Sequence, residues 1–438
     1  VPGEDDPVIF TLRTPQDMDR IIAVAKPGLR AVVAGGGYLG LEMVEQLHRK
    51  GFKVTLVQRH PHVLSQFDSQ VVMPLHDELR AHGIESRFTN QLASINRNDA
   101  FLECVLATGE TLEADMVVLS IGVHPDSDLA QKAGLALSAS GHIVVNEFMQ
   151  TSDPDIYAAG DAVQTRDRVF GNQLAVALAG PANRQGRVAA DHIFLGELAR
   201  PYPGSIGTSI VRLFGMMAAG TGWTEWALSK DSRNYNTVTV HGHHHAAYYP
   251  GAELMTLKLI WDPETGVVLG AQAVGKEGVD KRIDVLATAI IGRMTIDDLC
   301  HLELTYAPPF GVVRDIVNLA GFAATNVRDG LVRMSHYIPD DPAIQVLDVR
   351  SKSLADSDPL PGAIRIPYQQ LRKSLGMLDK NKPVLAVCQL GRTSYFAVRI
   401  LLQNGFQAIS LSGGVKGLGG AAKKGVFVTP CSPRSFSI

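Results

Sequence analysis

Three groups of residues in this sequence have types and spacings that could do chemistry. The first is Gly35-Gly36-Gly37-Tyr38-Leu39-Gly40, which follows the apolar run Ala31-Val32-Val33-Ala34. It opens a helical pattern through Glu42, Leu47 and Lys50. Such a run between a buried strand and a helix suits a pyrophosphate. Gly35 makes the turn, Gly37 lets the backbone approach the ligand, and Gly40 lets helix and strand pack closely. The helix N-terminus adds free N–H groups and a partial positive charge. A second strand, Lys53 to Val57, completes the β-α-β unit and ends in Gln58-Arg59-His60. A carboxylate at that position would accept a hydrogen bond from a ribose 2′-hydroxyl. Gln58 and Arg59 instead favour a 2′-phosphate, because a guanidinium binds phosphate in bidentate fashion. NADPH is therefore the expected dinucleotide, with NADH as the alternative and a solvated surface charge as the plain reading of Arg59.

The second group is Cys388, delivered by the apolar run Val384 to Val387 and followed by Gln389-Leu390-Gly391-Arg392-Thr393-Ser394 and a helical pattern. A loop of this kind turns its N–H groups toward the sulfur at a helix N-terminus. That stabilises a thiolate, and equally a persulfide anion. The third group is His241, His243, His244 and His245. Consecutive strand residues point to opposite faces, so at most His241, His243 and His245 converge, and no metal site is expected.

The elements around these groups alternate between helix and strand, as an α/β protein does. A helix is predicted around Pro15 to Ala25, another over Ser69 to His82, and strands over Phe101 to Leu106 and Met116 to Ile121. Thr108-Gly109-Glu110 reads as a hairpin turn. A long helix is predicted from Pro181 to Leu195, before the break at Pro201-Tyr202-Pro203-Gly204. Thr237 to Val240, Met255 to Ile260 and Val267 to Ala273 alternate as antiparallel strands do. Helices follow over Lys281 to Ile291 and Pro309 to Thr325, and a new α/β unit begins at Ile344. The 438 residues suggest about three domains at the usual size of roughly 100–200 residues each. A net charge of -3 gives no basic field for nucleic acid. No apolar run reaches the length of a membrane span, and Val1 opens no signal region. Four widely spaced cysteines, Cys104, Cys300, Cys388 and Cys431, fit reduced cytoplasmic thiols better than a disulfide framework.

Gly35 to Glu42, Ile121 to Pro125, Thr151 to Asp161 and Pro181 to Arg187 together resemble the flavoprotein pyridine nucleotide-disulfide oxidoreductases. Tyr248 to Ala252, Val274 to Asp284 and Glu303 to Phe310 narrow this to the branch of coenzyme A-disulfide reductases and NAD(P)H polysulfide or persulfide reductases. The resemblance implies FAD and NADPH or NADH as cofactors, coenzyme A as substrate or bound thiol, and a homodimer. Gly122, Gly160 and Asp161 would then hold cofactor, with Asp161 on the flavin ribityl chain. Ala182 and Asn183 open a helix directed at the flavin. Tyr38 would lid the nicotinamide pocket, with Glu42 one turn on. Tyr248 and Tyr306 match tyrosines that reach the partner subunit's redox cysteine, and Arg314 stands where coenzyme A phosphates are bound. Asn183 and Arg392 join the expected substrate contacts.

Ile344 to Arg350, Pro361 to Pro367 and the Cys388 loop resemble a rhodanese domain, which makes Cys388 a sulfane-sulfur carrier. Arg392 falls four residues after Cys388 where five is usual, which leaves the sulfur donor open. The expected organisation is an NAD(P)-binding domain over 1–125, the C-terminal part of an FAD domain over 126–202, an α+β dimerisation domain over 203–330 and a rhodanese-like α/β domain over 336–428. The stretch from Gly419 through Cys431 to Ile438 lacks the expected closing pattern and reads as disordered. Because the chain opens at Val1 and runs straight into a helix, it reads as the middle of a larger protein, with a processed N-terminus as the alternative. The family's N-terminal FAD-binding segment and redox cysteine are then missing, and the chain as given is expected to hold FAD weakly or not at all. Cys104 and Cys300 are expected to be packing residues. The expected activity is reduction of coenzyme A disulfide, coenzyme A persulfide or polysulfide. The rivals are an NADH oxidase or peroxidase and an inert nucleotide-binding remnant.

Overall fold

The computed structural model describes residues 1–418. The expectations about Gly419 to Ile438, Cys431 among them, and the end of the 336–428 unit lie outside the described residues. Among the described residues no helix is long and apolar enough to cross a membrane.

The first sheet has five parallel strands in the order Ile9–Phe10, Met116–Leu119, Arg30–Ala34, Lys53–Gln58, Glu85–Phe88. The helix Tyr38–Arg49 covers one face because Leu41, Val44 and Leu47 recur at helical spacing, and all are buried against the sheet. Each such side chain contributes roughly 1.5–3 kcal/mol of apolar burial. The other face is covered by an antiparallel three-stranded sheet, Leu92–Arg97, Leu102–Leu106 and Thr111–Ala114. There Leu102, Cys104 and Leu106 point inward by strict alternation, against Val32 and Val117. Burial pushes the Cys104 thiol up to about 11, as befits a packing residue.

A small sheet of Ile143–Val144, Val163–Arg166 and Gln173–Leu174 follows, then the helix Ala179–Leu195. That helix begins two residues before the expected Pro181, and only Pro181 and Gln185 along it are buried.

The third unit is a five-stranded antiparallel sheet ordered Ser209–Leu213, Met216–Gly222, Val268–Gly275, Leu254–Trp261, Asn236–His243. Helices Val279–Ile291, Ile296–His301 and Ile316–Arg328 bring their apolar faces onto its core. The last helix starts at Ile316, not at Pro309 as the sequence suggested. Asp315 caps it by accepting from the Val317 N–H at 3.1 Å, and the preceding segment forms turns through Ala307, Phe310 and Gly311. One cluster joins this sheet to the first unit. The fully buried Lys258 ammonium meets the Asp68 carboxylate at 3.0 Å, Gln70 Oε1 at 2.8 Å and the Glu225 carboxylate.

The C-terminal sheet is parallel, ordered Arg333–Ser335, Ala408–Leu411, Val384–Val387, Gln345–Asp348, Ile364–Arg365. It docks on the edge strand of the antiparallel sheet. The Thr239 N–H donates to Ser412 Oγ at 2.9 Å, and His241 Nε2 lies 2.9 Å from the Gly413 carbonyl.

Candidate functional site

The dinucleotide cradle forms where the first strand runs out. Gly35 has φ +104°, and a Cβ there would stand 2.0 Å from the Ser120 carbonyl oxygen. A Cβ at Gly40 would stand 1.9 Å from the Gly35 carbonyl oxygen, so helix and loop touch through backbone. At Gly37, the N-cap, a Cβ would meet nothing within 4 Å, and no side chain caps the helix. Free N–H groups and open space at that point fit a pyrophosphate. Gly122, at φ +130°, lies exposed beyond the strand end.

Gln58 and Arg59 divide their roles. Gln58 is buried and its Nε2 donates to the His62 carbonyl at 3.3 Å, beneath Gly36. Arg59 is exposed, with Nε 3.1 Å from His60 Nε2. Tyr38 places its hydroxyl 2.6 Å from Ser209 Oγ and its ring edge-on to Phe67 at 6.5 Å, so it joins the cradle to the antiparallel sheet. Glu42 is exposed beside a cleft of about 390 Å³ lined also by Leu12, Leu39, Met43 and Arg212.

Gly160 and Asp161 sit at the foot of the strand Val163–Arg166. Gly160 has φ +85°, and its N–H donates to Gln185 Oε1 at 2.8 Å. Gln185 is buried on the helix Ala179–Leu195, so one amide fixes the loop against the helix turn carrying Ala182 and Asn183. Asp161 and Asn183 are exposed, and no side chain caps this helix N-terminus. A free carboxylate beside uncapped N–H groups suits a polyol and an electron-rich ring, which is what FAD presents.

The two tyrosines converge. The Ala246 N–H donates to the Pro308 carbonyl at 3.2 Å and ties their loops together. Tyr248 is 77% exposed and Tyr306 47%, and the two phenols interact. The interaction with Tyr248 raises the Tyr306 phenol above its ordinary value. Beneath them Arg282, buried, binds Asp315 at 2.6 Å and donates to the His244 carbonyl at 2.7 Å. This brace leaves the neighbouring Arg314 exposed. The histidines do not share one partner set. His241 is 2.9 Å from Thr256 Oγ1 and from the Gly413 carbonyl, whereas the His244 and His245 rings lie tilted to each other with centroids 4.1 Å apart.

Cys388 lies buried at the end of the strand Val384–Val387. Its Sγ–H donates to Ser394 Oγ at 3.4 Å. Ser394 donates to the Gly391 carbonyl at 3.0 Å and accepts from Ser410 Oγ at 2.9 Å. Gly391 at φ +83° turns the loop into the helix Arg392–Gln403. Arg392 is exposed, with its guanidinium 6.0 Å from the Phe396 ring.

Sequence reasoning passed over Gln185, Arg282, Ser394, Ser410 and Arg350 as single residues, and weighed His241 only for a metal site. Gln185, Arg282, Ser394 and Arg350 lie within stretches that carry the resemblance. Ser410 and His241 gain their meaning only from strands that are neighbours in space.

Residues 1–186 match the pyridine nucleotide-disulphide oxidoreductase family, 209–315 its dimerisation domain and 336–421 the rhodanese-like domain. A coenzyme A disulfide reductase from Staphylococcus aureus is 33% identical over 324 residues, 74% of this chain and 72% of that protein. The structure of reduced CoADR-RHD from Bacillus anthracis matches with a TM-score of 0.91 at 40% identity, over 96% of this chain and 76% of that one. A NAD-dependent persulfide reductase from A. fulgidus matches with a TM-score of 0.89 at 35% identity, over 95% of this chain and 77% of that one. The chain therefore belongs to the pyridine nucleotide-disulphide oxidoreductases, as a flavoprotein enzyme of NAD(P)H-dependent disulfide or persulfide reduction, with FAD and NAD(P)H as cofactors and a rhodanese-like domain at its C-terminal side.

Proposed function

We propose that this chain belongs to a homodimeric enzyme that reduces the disulfide or persulfide of coenzyme A, or polysulfide, with NADPH as donor, while Cys388 carries sulfane sulfur. The observation that carries this reading is the interacting pair of exposed tyrosines, with the exposed Arg314 eight residues after Tyr306 in the chain. An exposed phenol is able to donate to a leaving thiolate, and Arg314 offers a cation for phosphate. Bound flavin supplies the two-electron relay between nicotinamide and sulfur. The protein's own part is orientation. Gly35, Gly37, Gly40 and Gly122 admit the dinucleotide backbone, and Arg59 meets the 2′-phosphate. Tyr38 and Glu42 border the nicotinamide end. Gly160, Asp161, Ala182 and Asn183 hold the flavin side, and Asn183 and Arg392 complete the substrate contacts.

The test is steady-state NADPH oxidation by the full chain supplied with FAD. Acceptors are coenzyme A disulfide, polysulfide or dissolved oxygen alone, each assayed with Tyr248→Phe and Tyr306→Phe. Turnover that depends on a sulfur acceptor and falls about tenfold in each variant supports the reading. Oxygen consumption indifferent to sulfur acceptor and to both tyrosines would replace it with an oxidase.

A further inference from the structure

Cys388 is surrounded by donors that its neutral thiol does not use. Ser394 and Ser410 are both completely buried. Ser410 stands on the neighbouring strand, level with Ala386, and donates to Ser394. Ser394 in turn donates to the Gly391 carbonyl, while the thiol itself donates to Ser394. An ionised sulfur has no proton to give and can only accept. Ser394 can then swing its single hydrogen from Gly391 to the sulfur. The Gly391 carbonyl keeps the Tyr395 N–H at 3.3 Å, so the swing orphans no acceptor. Ser410 continues to donate into Ser394 and polarises the hydroxyl toward the charge.

A second feature lies by the same strand end. Arg350 is 4% exposed and its Nη1 has no hydrogen-bond partner. Nε and Nη2 are taken by Asp348, and Nη2 also by the Asp358 carbonyl at 2.8 Å. Asp348 pairs in register with Val387, and the Val349 N–H donates to the Val387 carbonyl, which sets Arg350 beside the strand end that delivers Cys388. Its charge is already paired with Asp348, but the buried Nη1 donor left without an acceptor is costly.

We infer that Ser394, relayed by Ser410, is a positioning residue that gives its hydroxyl hydrogen bond to the Cys388 sulfur in its anionic forms, thiolate and persulfide, beside the Arg350 cation. This rests on the reading of Cys388 as a sulfur carrier. In the loading step the thiolate attacks the outer sulfur of thiosulfate, a new S–S bond forms on Cys388, and sulfite leaves with the electron pair of the broken S–S bond. No proton moves in this step; the negative charge passes from the cysteine Sγ to the outer persulfide sulfur, so the Ser394 donor meets the full charge in the thiolate.

The experiment uses the full chain as wild type, Ser394→Ala and Ser410→Ala. Rates of Cys388 alkylation by iodoacetamide across pH and of thiocyanate formation from thiosulfate and cyanide are followed. Loss of one hydrogen bond to a charged sulfur is expected to move the alkylation profile to higher pH by about one unit and slow sulfur transfer about tenfold in Ser394→Ala, with about threefold slowing in Ser410→Ala. Profiles that superimpose on the wild type overturn the relay. Should Ser394→Ala fail to fold, Ser410→Ala decides alone, and an unchanged profile there overturns the relay equally. Failure of the wild-type chain to gain one sulfur atom at Cys388 from thiosulfate or polysulfide, judged by mass, instead refutes the carrier reading. The alkylation profiles still report on the relay in that case.

Discussion

Arg59 stands exposed at the end of its strand with Nε turned to His60, which leaves its other N–H groups for a ligand. Arg59→Glu replaces a charge-assisted bond with repulsion. Its expected effect is a loss of roughly 10–100-fold in kcat/KM for NADPH, with NADH changed less than about threefold. Parallel kinetics with the two dinucleotides measure this, and equal losses for both would remove the 2′-phosphate from the account. His241 sets a different dependence. Burial holds it down to about 4, more strongly than the Gly413 hydrogen bond raises it. Its folded value lies below the unfolded value near 6.5, so its neutral form stabilises the fold above that pH. That contribution is lost as pH falls from about 6.5 toward 4, and His76, also held near 4 by burial, adds to the loss in the same window. Thermal unfolding between pH 7 and 5 should show a falling midpoint, and His241→Gln should flatten the fall.

At the scale of elements, contacts between backbones decide how the cradle is built. A methyl group at position 40 would have to occupy space 1.9 Å from the Gly35 carbonyl oxygen, inside the helix's own approach to the loop. Gly40→Ala is expected to destabilise the first unit by about 2–3 kcal/mol through overpacking and to weaken NADPH binding in step. Urea titration and fluorescence binding check the pair, and weakened binding at unchanged stability would contradict the steric account. The same logic holds at the C-terminal end of the chain. A Cβ at Gly414, at φ +60°, would lie 2.4 Å from the Cys388 carbonyl oxygen. The turn that closes the sulfur loop is therefore packed backbone to backbone. It is also the turn whose Gly413 carbonyl meets His241, so the antiparallel sheet braces the loop that carries Cys388.

At the scale of the molecule, Lys258 holds two units together through Asp68, Gln70 and Glu225. Burial disfavours its cation, but the Asp68 and Glu225 carboxylates outweigh that and raise its affinity for the proton. Gln272 adds a hydrogen bond to Asp68 at 2.6 Å. Lys258→Met would leave two carboxylates without their shared cation. A loss of about 3–5 kcal/mol is expected, with the first unit melting separately from the antiparallel sheet. Calorimetry checks this; a single unshifted transition would show that the cluster contributes no coupling.

The sequence by itself determined the β-α-β cradle, because glycines forced by close backbone approach leave a pattern that local spacing displays. It also determined the strand that ends at Cys388, since an apolar run followed by a glycine turn and a helix is a local signal. The family resemblance brought Asp161, Tyr248, Tyr306 and Arg314 forward, which spacing alone could not. What the tertiary structure decided is which residues stand beside them. Asp315 ends the turn segment that the periodicity from Pro309 took for helix, because its carboxylate both caps Ile316 and pairs with Arg282. Ser410 reaches Ser394 only through the pairing of two strands, and His241 reaches Gly413 only where one sheet docks on another. Hydrogen bonds between residues far apart in the chain depend on register and docking, and neither is written in the local alternation of apolar and polar residues.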